Sequence, residues 1–137
     1  MRTDTQTVTI PASYERVFAF LAEPANLPRW AVGFARDIRR NGDGWIVATG
    51  HGEMPIRYET EPRYGIVDFH LMPAPGVDAV AHSRLVANGD GVEYVFTQFQ
   101  TPGISDEMFQ GQVAALKDEL EVLRVLFRAQ AACDSGR

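Results

Sequence analysis

The sequence predicts an α+β fold, and three observations support this prediction. The stretch over residues 105–130 has helical periodicity and follows a series of alternating or apolar runs that are typical of strands. Two NGDG tetrapeptides, Asn41–Gly44 and Asn88–Gly91, each separate two such runs, as hairpin turns do. A short amphipathic segment near the start is interrupted by prolines. Because the strands are mostly consecutive and the helices are segregated from them, we expect an antiparallel sheet.

The composition is that of an ordinary globular domain and disfavours several classes of partner. The 137 residues are 45% hydrophobic and 23% charged, which fits one domain over residues 1–137 with a disordered tail from about residue 132. The net charge of -5 argues against a nucleic-acid partner. No apolar run is long enough for membrane insertion. Without an apolar leader in MRTDTQTV, we expect a cytoplasmic protein, and the single cysteine, Cys133, precludes a disulfide framework.

A short helix that prolines terminate follows the first strand. Ser13 is a suitable N-cap, and apolar side chains over residues 14–21 repeat at the spacing of one helix face. Pro24 disfavours a helical residue before it, and Pro28 closes one further turn. Two short helices are therefore predicted, and Trp30 lies where they return to the sheet.

The second NGDG turn defines which residues of its hairpin share a face. Leu85 is expected opposite Tyr94, and Ser83 opposite Phe96, on a face that we take as inward because it is apolar and aromatic. Gln98 falls on this same face. A neutral amide placed inward needs a hydrogen-bond partner, which indicates a cavity there.

The first NGDG turn sets the faces of the other hairpin in the same way. Ile38 is expected opposite Val47, and Phe34 opposite His51, so that His51 also points inward from a strand. Tyr58 faces the same way from the alternating run that follows.

The next strand is apolar on both of its faces. We favour Val67, Phe69 and Leu71 as the core set. Asp68 and His70 then share the other face, where the carboxylate could orient the imidazole as a general base. A solvated outer face is the favoured interpretation of this pair.

The last segment is the clearest element of the sequence. Ser105 is a good N-cap, and the helix should run to about Gln130. Met108 and Gln112 flank its apolar stripe and could face the cavity, whereas the charged run over residues 118–124 is interpreted as a solvated face. The stripe itself consists of Phe109, Val113, Leu116, Leu120, Leu123 and Phe127.

The segment IPASYERVFAFLAEPANLPRW, residues 10–30, resembles the START-like superfamily, most closely its polyketide cyclase/dehydrase branch. The resemblance extends over nearly the whole chain. It includes DFH at Asp68–His70, the second NGDG turn with VFTQFQ after it, and PGISDEMF at the start of the last helix.

The resemblance implies a helix-grip fold. In such a fold a curved seven-stranded antiparallel sheet wraps a long C-terminal helix, and two short helices after strand 1 plug one end. It also implies a cavity between sheet and helix that holds a lipid-like, aromatic or polyketide ligand, without a cofactor.

Combining the faces with the resemblance gives a set of expected ligand-binding residues. Trp30 either lines the cavity or only fastens the short helices to the sheet. No metal is expected, because the three histidines do not share one surface. The expected ligand-binding residues are Trp30, Phe34, His51, Tyr58, Tyr94, Phe96, Gln98, Met108 and Gln112.

Three functions are compatible with these residues. The favoured one is binding of a small hydrophobic or aromatic molecule. The second is a cyclase or dehydratase that orients a poly-ketone and uses an acid or base among His51, Tyr58, Tyr94 and Gln98. The third is a non-catalytic interaction protein whose cavity is filled by side chains, acting through its sheet face or as a homodimer.

Overall fold

The computed structural model describes residues 1–135, and their side chains as far as residue 129. Within this part, the short helices follow the first strand, the other six strands are consecutive, and the long helix comes last, as the sequence predicts. The elements are β1 (Thr3–Ile10), α1 (Tyr14–Ala22), a 3₁₀ turn (Pro24–Asn26), α2 (Leu27–Trp30), β2 (Asp37–Asn41), β3 (Gly44–Thr49), β4 (Gly52–Glu61), β5 (Ile66–Ala74), β6 (Val77–Asn88), β7 (Gly91–Phe99) and α3 (Asp106–Ser135).

All seven strands form one antiparallel sheet in the order β1-β7-β6-β5-β4-β3-β2. Strands β2 to β7 follow one another as a meander, and β1 joins at the far side by pairing with β7. The register of the second hairpin is the predicted one, with Leu85 opposite Tyr94 and Ser83 opposite Phe96. In the first hairpin, Ile38 pairs with Val47 as expected. The predicted α+β class and sheet are therefore confirmed.

The two short helices are formed by the caps and prolines that predicted them. Ser13 Oγ accepts a hydrogen bond from the Arg16 amide at 3.3 Å and caps α1. Glu23, directly before Pro24, has an extended backbone that ends α1. The chain then makes the 3₁₀ turn and α2, whose last residue, Trp30, is only 2% exposed.

Helix α3 packs across the sheet with its apolar stripe inward. Ser105 Oγ accepts from the Met108 amide at 3.1 Å, which confirms the predicted N-cap. Gln6 of β1 donates from Nε2 to the Val113 carbonyl at 2.9 Å and so ties the edge strand to the helix. The helix continues to Ser135, beyond the predicted end near residue 130. The predicted disordered tail, about residues 132–137, lies outside the described side chains and stays a prediction.

The core lies between the sheet and the three helices. Tyr94, Leu85 and Ser83 are buried on the inward face of the second hairpin. On β5, Val67 and Phe69 are buried, which confirms the favoured face of that strand. Among the described residues, no helix is both long and apolar enough to cross a bilayer.

Candidate functional site

A cavity of about 820 Å³ lies between α3 and the inward face of the sheet. Its wall is mostly apolar and comes from α2, the loop that follows it, β3 to β7 and the first half of α3. The rim contains exposed residues of three segments: His51 in the turn between β3 and β4, Pro73 of β5, and Glu107 with Met108 at the start of α3. The volume falls in the range of about 300–1,000 Å³ that ligand sites occupy.

The closed end of the cavity is an aromatic wall built around Trp30. The Trp30 ring lies 6.4 Å from Phe69 and 6.4 Å from Phe96 between centroids, and 6.1 Å from Tyr94. The two phenylalanine rings are themselves 5.7 Å apart. Trp30 therefore has both of the roles considered for it. It fastens α2 to the sheet, and it lines the cavity together with the two phenylalanines.

A buried carboxylate, Glu119 of α3, also lines the cavity. The residue is 6% exposed, and its Oε2 accepts hydrogen bonds from the backbone amides of Gly33 and Phe34, each at 3.1 Å. These bonds hold the loop after α2 against the helix. A Cβ on Gly33 would lie 3.3 Å from the Ala115 Cβ and 3.6 Å from Glu119 Oε2, so the absence of a side chain there permits the close approach.

The environment of Glu119 favours its protonated form. Burial raises the pKa of this carboxyl from 4.5 to about 7, and the two backbone hydrogen bonds and the nearby Asp118 charge are smaller influences. A carboxyl with such a pKa exists in both forms near neutral pH and can therefore give or take a proton in the cavity.

Gln98 obtains partners from the protein rather than requiring a ligand. Its Nε2 donates to Asp4 Oδ2 at 3.2 Å and to the Gln112 carbonyl at 3.5 Å. Gln6 Nε2 donates to the same Asp4 oxygen at 2.8 Å. The half-buried amide is therefore compatible with a cavity but does not by itself indicate one.

Solved structures share this arrangement at low sequence identity, whereas no protein-family model and no curated protein matches the sequence. An uncharacterised protein from Bacillus thuringiensis is 19% identical with a TM-score of 0.75, over 92% of this chain and 98% of that one. The Zhui aromatase/cyclase from Streptomyces sp. R1128 is 16% identical with a TM-score of 0.75, over 95% of each chain. The Aha1 dimer from Colwellia psychrerythraea is 16% identical with a TM-score of 0.72, over 93% and 96%.

The chain has the helix-grip fold. The likenesses to these structures show this fold, which the resemblance to the START-like superfamily implied. In this helix-grip chain α3 is the gripped helix, and α2 contributes Leu27 and Trp30 to the cavity wall.

Most of the expected ligand-binding residues lie on the wall of the helix-grip cavity. Two of them do not, Tyr58 and Tyr94. The residues that do line it are Trp30, Phe34, His51, Phe96, Gln98, Met108 and Gln112.

The two tyrosines are core residues instead. Tyr94 is wholly buried, and its hydroxyl donates to Ser83 Oγ at 2.9 Å. Tyr58 packs edge-on against Phe69, with ring centroids 5.0 Å apart. Burial raises the pKa of both hydroxyls far above their usual range, so neither tyrosine ionises near neutral pH.

His51 lies at the cavity rim, but the prediction that it points inward from a strand is wrong. Strand β3 ends at Thr49, and a tight turn that contains His51 leads directly into Gly52 of β4. Gly52 has a φ of 113°, which the turn requires and which other residues rarely adopt. His51 is consequently exposed.

The outer face of the sheet carries the other two histidines. His82 Nδ1 lies 3.1 Å from Asp68 Oδ2, and His70 Nε2 lies 2.9 Å from Glu59 Oε1. Asp68 thus pairs with a histidine of the neighbouring strand and does not orient His70. In the described part of the chain no cluster of histidine, cysteine and carboxylate side chains could hold a metal ion.

Glu119 is the residue that sequence reasoning missed. The interpretation of residues 118–124 as a solvated face is wrong at this position, because the loop after α2 covers it. A signal was present: Glu119 lies seven residues, or two helical turns, after Gln112, which had been placed toward the cavity.

Proposed function

We propose that this chain binds a small apolar molecule containing rings in the cavity between the sheet and α3. The observation that carries the proposal is the aromatic wall of Trp30, Phe69 and Phe96 at the end of a cavity of about 820 Å³. Stacking and edge-to-face contacts with such a wall favour flat rings over linear chains. The Zhui structure, described as an aromatase/cyclase, lends support because it has the same fold.

The cavity argues against the third of the functions considered from the sequence. An interaction protein with a filled cavity should have core side chains where this open volume lies. The homodimer stays a prediction. One of the solved structures is described as a dimer, which concerns that protein, and sedimentation of this chain would test the matter directly.

Native mass spectrometry of freshly purified protein tests the proposed function, together with titration of the tryptophan fluorescence of Trp30 and Trp45 by polycyclic aromatic compounds. We expect a bound species of a few hundred daltons, or saturable binding of an added aromatic compound. Absence of both contradicts the proposal.

A pair of tryptophan variants on α3 provides the control for this experiment. Gly111 lines the cavity, and a Cβ there meets no atom within 4 Å, so Gly111→Trp should extend into the cavity without a clash near the backbone. Ala114 is exposed on the same helix and does not line the cavity. Gly111→Trp should abolish binding, and Ala114→Trp should leave it intact.

A cyclase or dehydratase activity is the second candidate, favoured by Glu119. A carboxyl with a pKa near 7 in an apolar cavity is suited to general acid or base catalysis at neutral pH. The wild-type chain should then accelerate cyclisation of a synthetic linear poly-β-ketone thioester over buffer. Glu119→Gln should lose about a hundredfold of that rate while the substrate still binds. No acceleration by the wild-type chain contradicts this second candidate.

A further inference from the structure

The charged groups of the cavity wall have one sign. Glu107 and Glu119 are acidic, and His51 is the remaining titratable residue of the wall. Within the described part of the chain, no arginine or lysine lines the cavity. A negatively charged ligand beside Glu119 would therefore have no lining arginine or lysine to compensate for the loss of its hydration.

One oxygen of Glu119 is available to a ligand. Oε2 accepts both backbone hydrogen bonds, from Gly33 and Phe34. Oε1 accepts none from the described residues, and no fully buried side-chain oxygen among them lacks a partner. Since Glu119 lines the cavity, Oε1 is open to the cavity space.

We propose that the ligand of this cavity is an apolar molecule without negative charge that donates a hydrogen bond from a hydroxyl or amine group to Glu119 Oε1. This inference rests on the proposed binding function and deepens it. While Glu119 is ionised, the same arrangement disfavours fatty acids and other carboxylates, because their charge would lie beside the Glu119 carboxylate with no arginine or lysine on the wall.

The hydrogen bond has the strength to select among ligands. A buried hydrogen bond to a charged group contributes about 1.5–3 kcal/mol, which corresponds to a factor of about ten or more in affinity. The apolar remainder of the ligand fills the aromatic end of the cavity, where the Phe69 and Phe96 rings offer no polar partner.

A series of pyrene derivatives tests the inference, because its members differ only in one substituent. The members are methylpyrene, pyrenemethanol, pyrenemethylamine and pyrenecarboxylate. Each is titrated by fluorescence against the wild-type protein at about pH 8, where the ionised form of Glu119 predominates. Pyrenemethanol and pyrenemethylamine should bind about tenfold more tightly than methylpyrene, and pyrenecarboxylate more weakly than methylpyrene. Equal affinities, or tightest binding of the carboxylate, overturn the inference and leave the proposed function standing.

The Glu119→Gln variant makes the test sharper. To keep the bonds from Gly33 and Phe34, the new side chain must direct its carbonyl oxygen at them and its NH₂ group into the cavity. The cavity then presents a donor where it presented an acceptor. Affinity for pyrenecarboxylate should rise and affinity for pyrenemethylamine should fall, which a merely structural role of Glu119 would not produce.

The control variant is Glu121→Gln, which removes an acidic charge from an exposed position of α3 that does not line the cavity. It should change each affinity by less than about twofold, because exposed charges are screened by solvent. If Glu119→Gln does not fold, the ranking of the four compounds in the wild-type protein decides the matter. If none of the four binds, the proposed function itself fails, and this inference fails with it.

Discussion

Tyr94 donates a hydrogen bond to Ser83 Oγ at 2.9 Å inside the core, between neighbouring strands of the sheet. Ser83 donates in turn to the Val67 carbonyl of the next strand. These two hydrogen bonds satisfy the hydroxyl groups of Tyr94 and Ser83, residues that are 0% and 2% exposed, respectively. The polar atoms of this pair therefore have a structural role that requires no ligand.

Removing the acceptor should cost more than removing the donor. Ser83→Ala leaves the buried Tyr94 hydroxyl without its partner and should lower the free energy of unfolding by about 1–3 kcal/mol. Tyr94→Phe leaves Ser83 bonded to Val67 and should cost about 1 kcal/mol. Urea denaturation of both variants and of the double variant measures these effects. The double variant should be no less stable than Ser83→Ala alone, because it no longer has an unpaired tyrosine hydroxyl. If the double variant instead loses the sum of the two single losses, the two hydroxyls do not depend on each other.

Glu119 should make stability depend on pH in an unusual direction. The folded chain holds the proton of this carboxyl up to a pKa of about 7, whereas the unfolded chain loses it near 4.5. More protons are bound by the folded state between these values, so this contribution is fully present below the lower pKa and is lost as the pH rises through the higher one. The loss amounts to about 3 kcal/mol at most.

The free energy of unfolding is measured across this pH range for the wild-type protein and for Glu119→Gln. The difference between the two gives the contribution of Glu119, because the other carboxylates contribute equally to both proteins. Glu121→Gln is the matched control. Arg124 holds the pKa of the exposed Glu121 carboxyl below its usual value, so any slope from this residue has the opposite sign. A flat difference for Glu119 would show that its carboxyl ionises normally in the folded protein.

Replacement by alanine should change the stability of the protein in opposite directions at two glycines of the cavity wall. Gly33→Ala brings a methyl group to 3.3 Å from Ala115 Cβ, and we expect a loss of about 1 kcal/mol as the loop moves away from α3. At Gly111, inside α3, the new methyl group meets nothing within 4 Å, and the higher helix propensity of alanine should add up to about 1 kcal/mol. Thermal and urea unfolding distinguish the two. Equal effects would mean that Gly33 does not set the approach of loop and helix.

Gly65 should be the glycine most sensitive to replacement. Its φ is 69°, and a Cβ would lie 2.1 Å from the Leu85 carbonyl oxygen, which is backbone and cannot yield easily. Gly42 has a similar φ of 62° with nothing within 4 Å, so Gly42→Ala measures the conformational cost alone, about 1–2 kcal/mol. In urea unfolding, Gly65→Ala should lower the free energy of unfolding by clearly more than Gly42→Ala does. An equal loss of stability for the two variants would show that the turn at Gly65 can move away from Leu85 of β6 at little cost.

The elements and registers were accessible from the sequence because local signals determine them. The NGDG turns set the pairing of Ile38 with Val47 and of Leu85 with Tyr94, and Ser13 and Ser105 mark helix starts by their own side chains. Such signals lie within a few residues of the structure they specify.

The polar centre of the cavity was not accessible, because it depends on contacts between distant parts of the chain. Glu119 is bonded to the backbone of Gly33 and Phe34, 86 and 85 positions earlier in the sequence. Its helical spacing from Gln112 indicates the side of α3 on which it lies, but not that this loop covers it. His51 was misplaced for a different reason. Extending the hairpin register to residue 51 ignored the turn after Thr49, which ends the strand before that residue.

The pairing of β1 with β7 has a consequence for the order in which the molecule assembles. The five hairpin pairings from β2 to β7 join neighbours in sequence, but Thr7 and Thr9 contact Glu93 across more than 80 positions. Closing a loop of that length is slow compared with forming a hairpin. Amides of β6 and β7 should therefore gain protection in pulsed hydrogen exchange before those of β1. The cavity, which needs the plug between β1 and β2, would then be the last part of the protein to take shape.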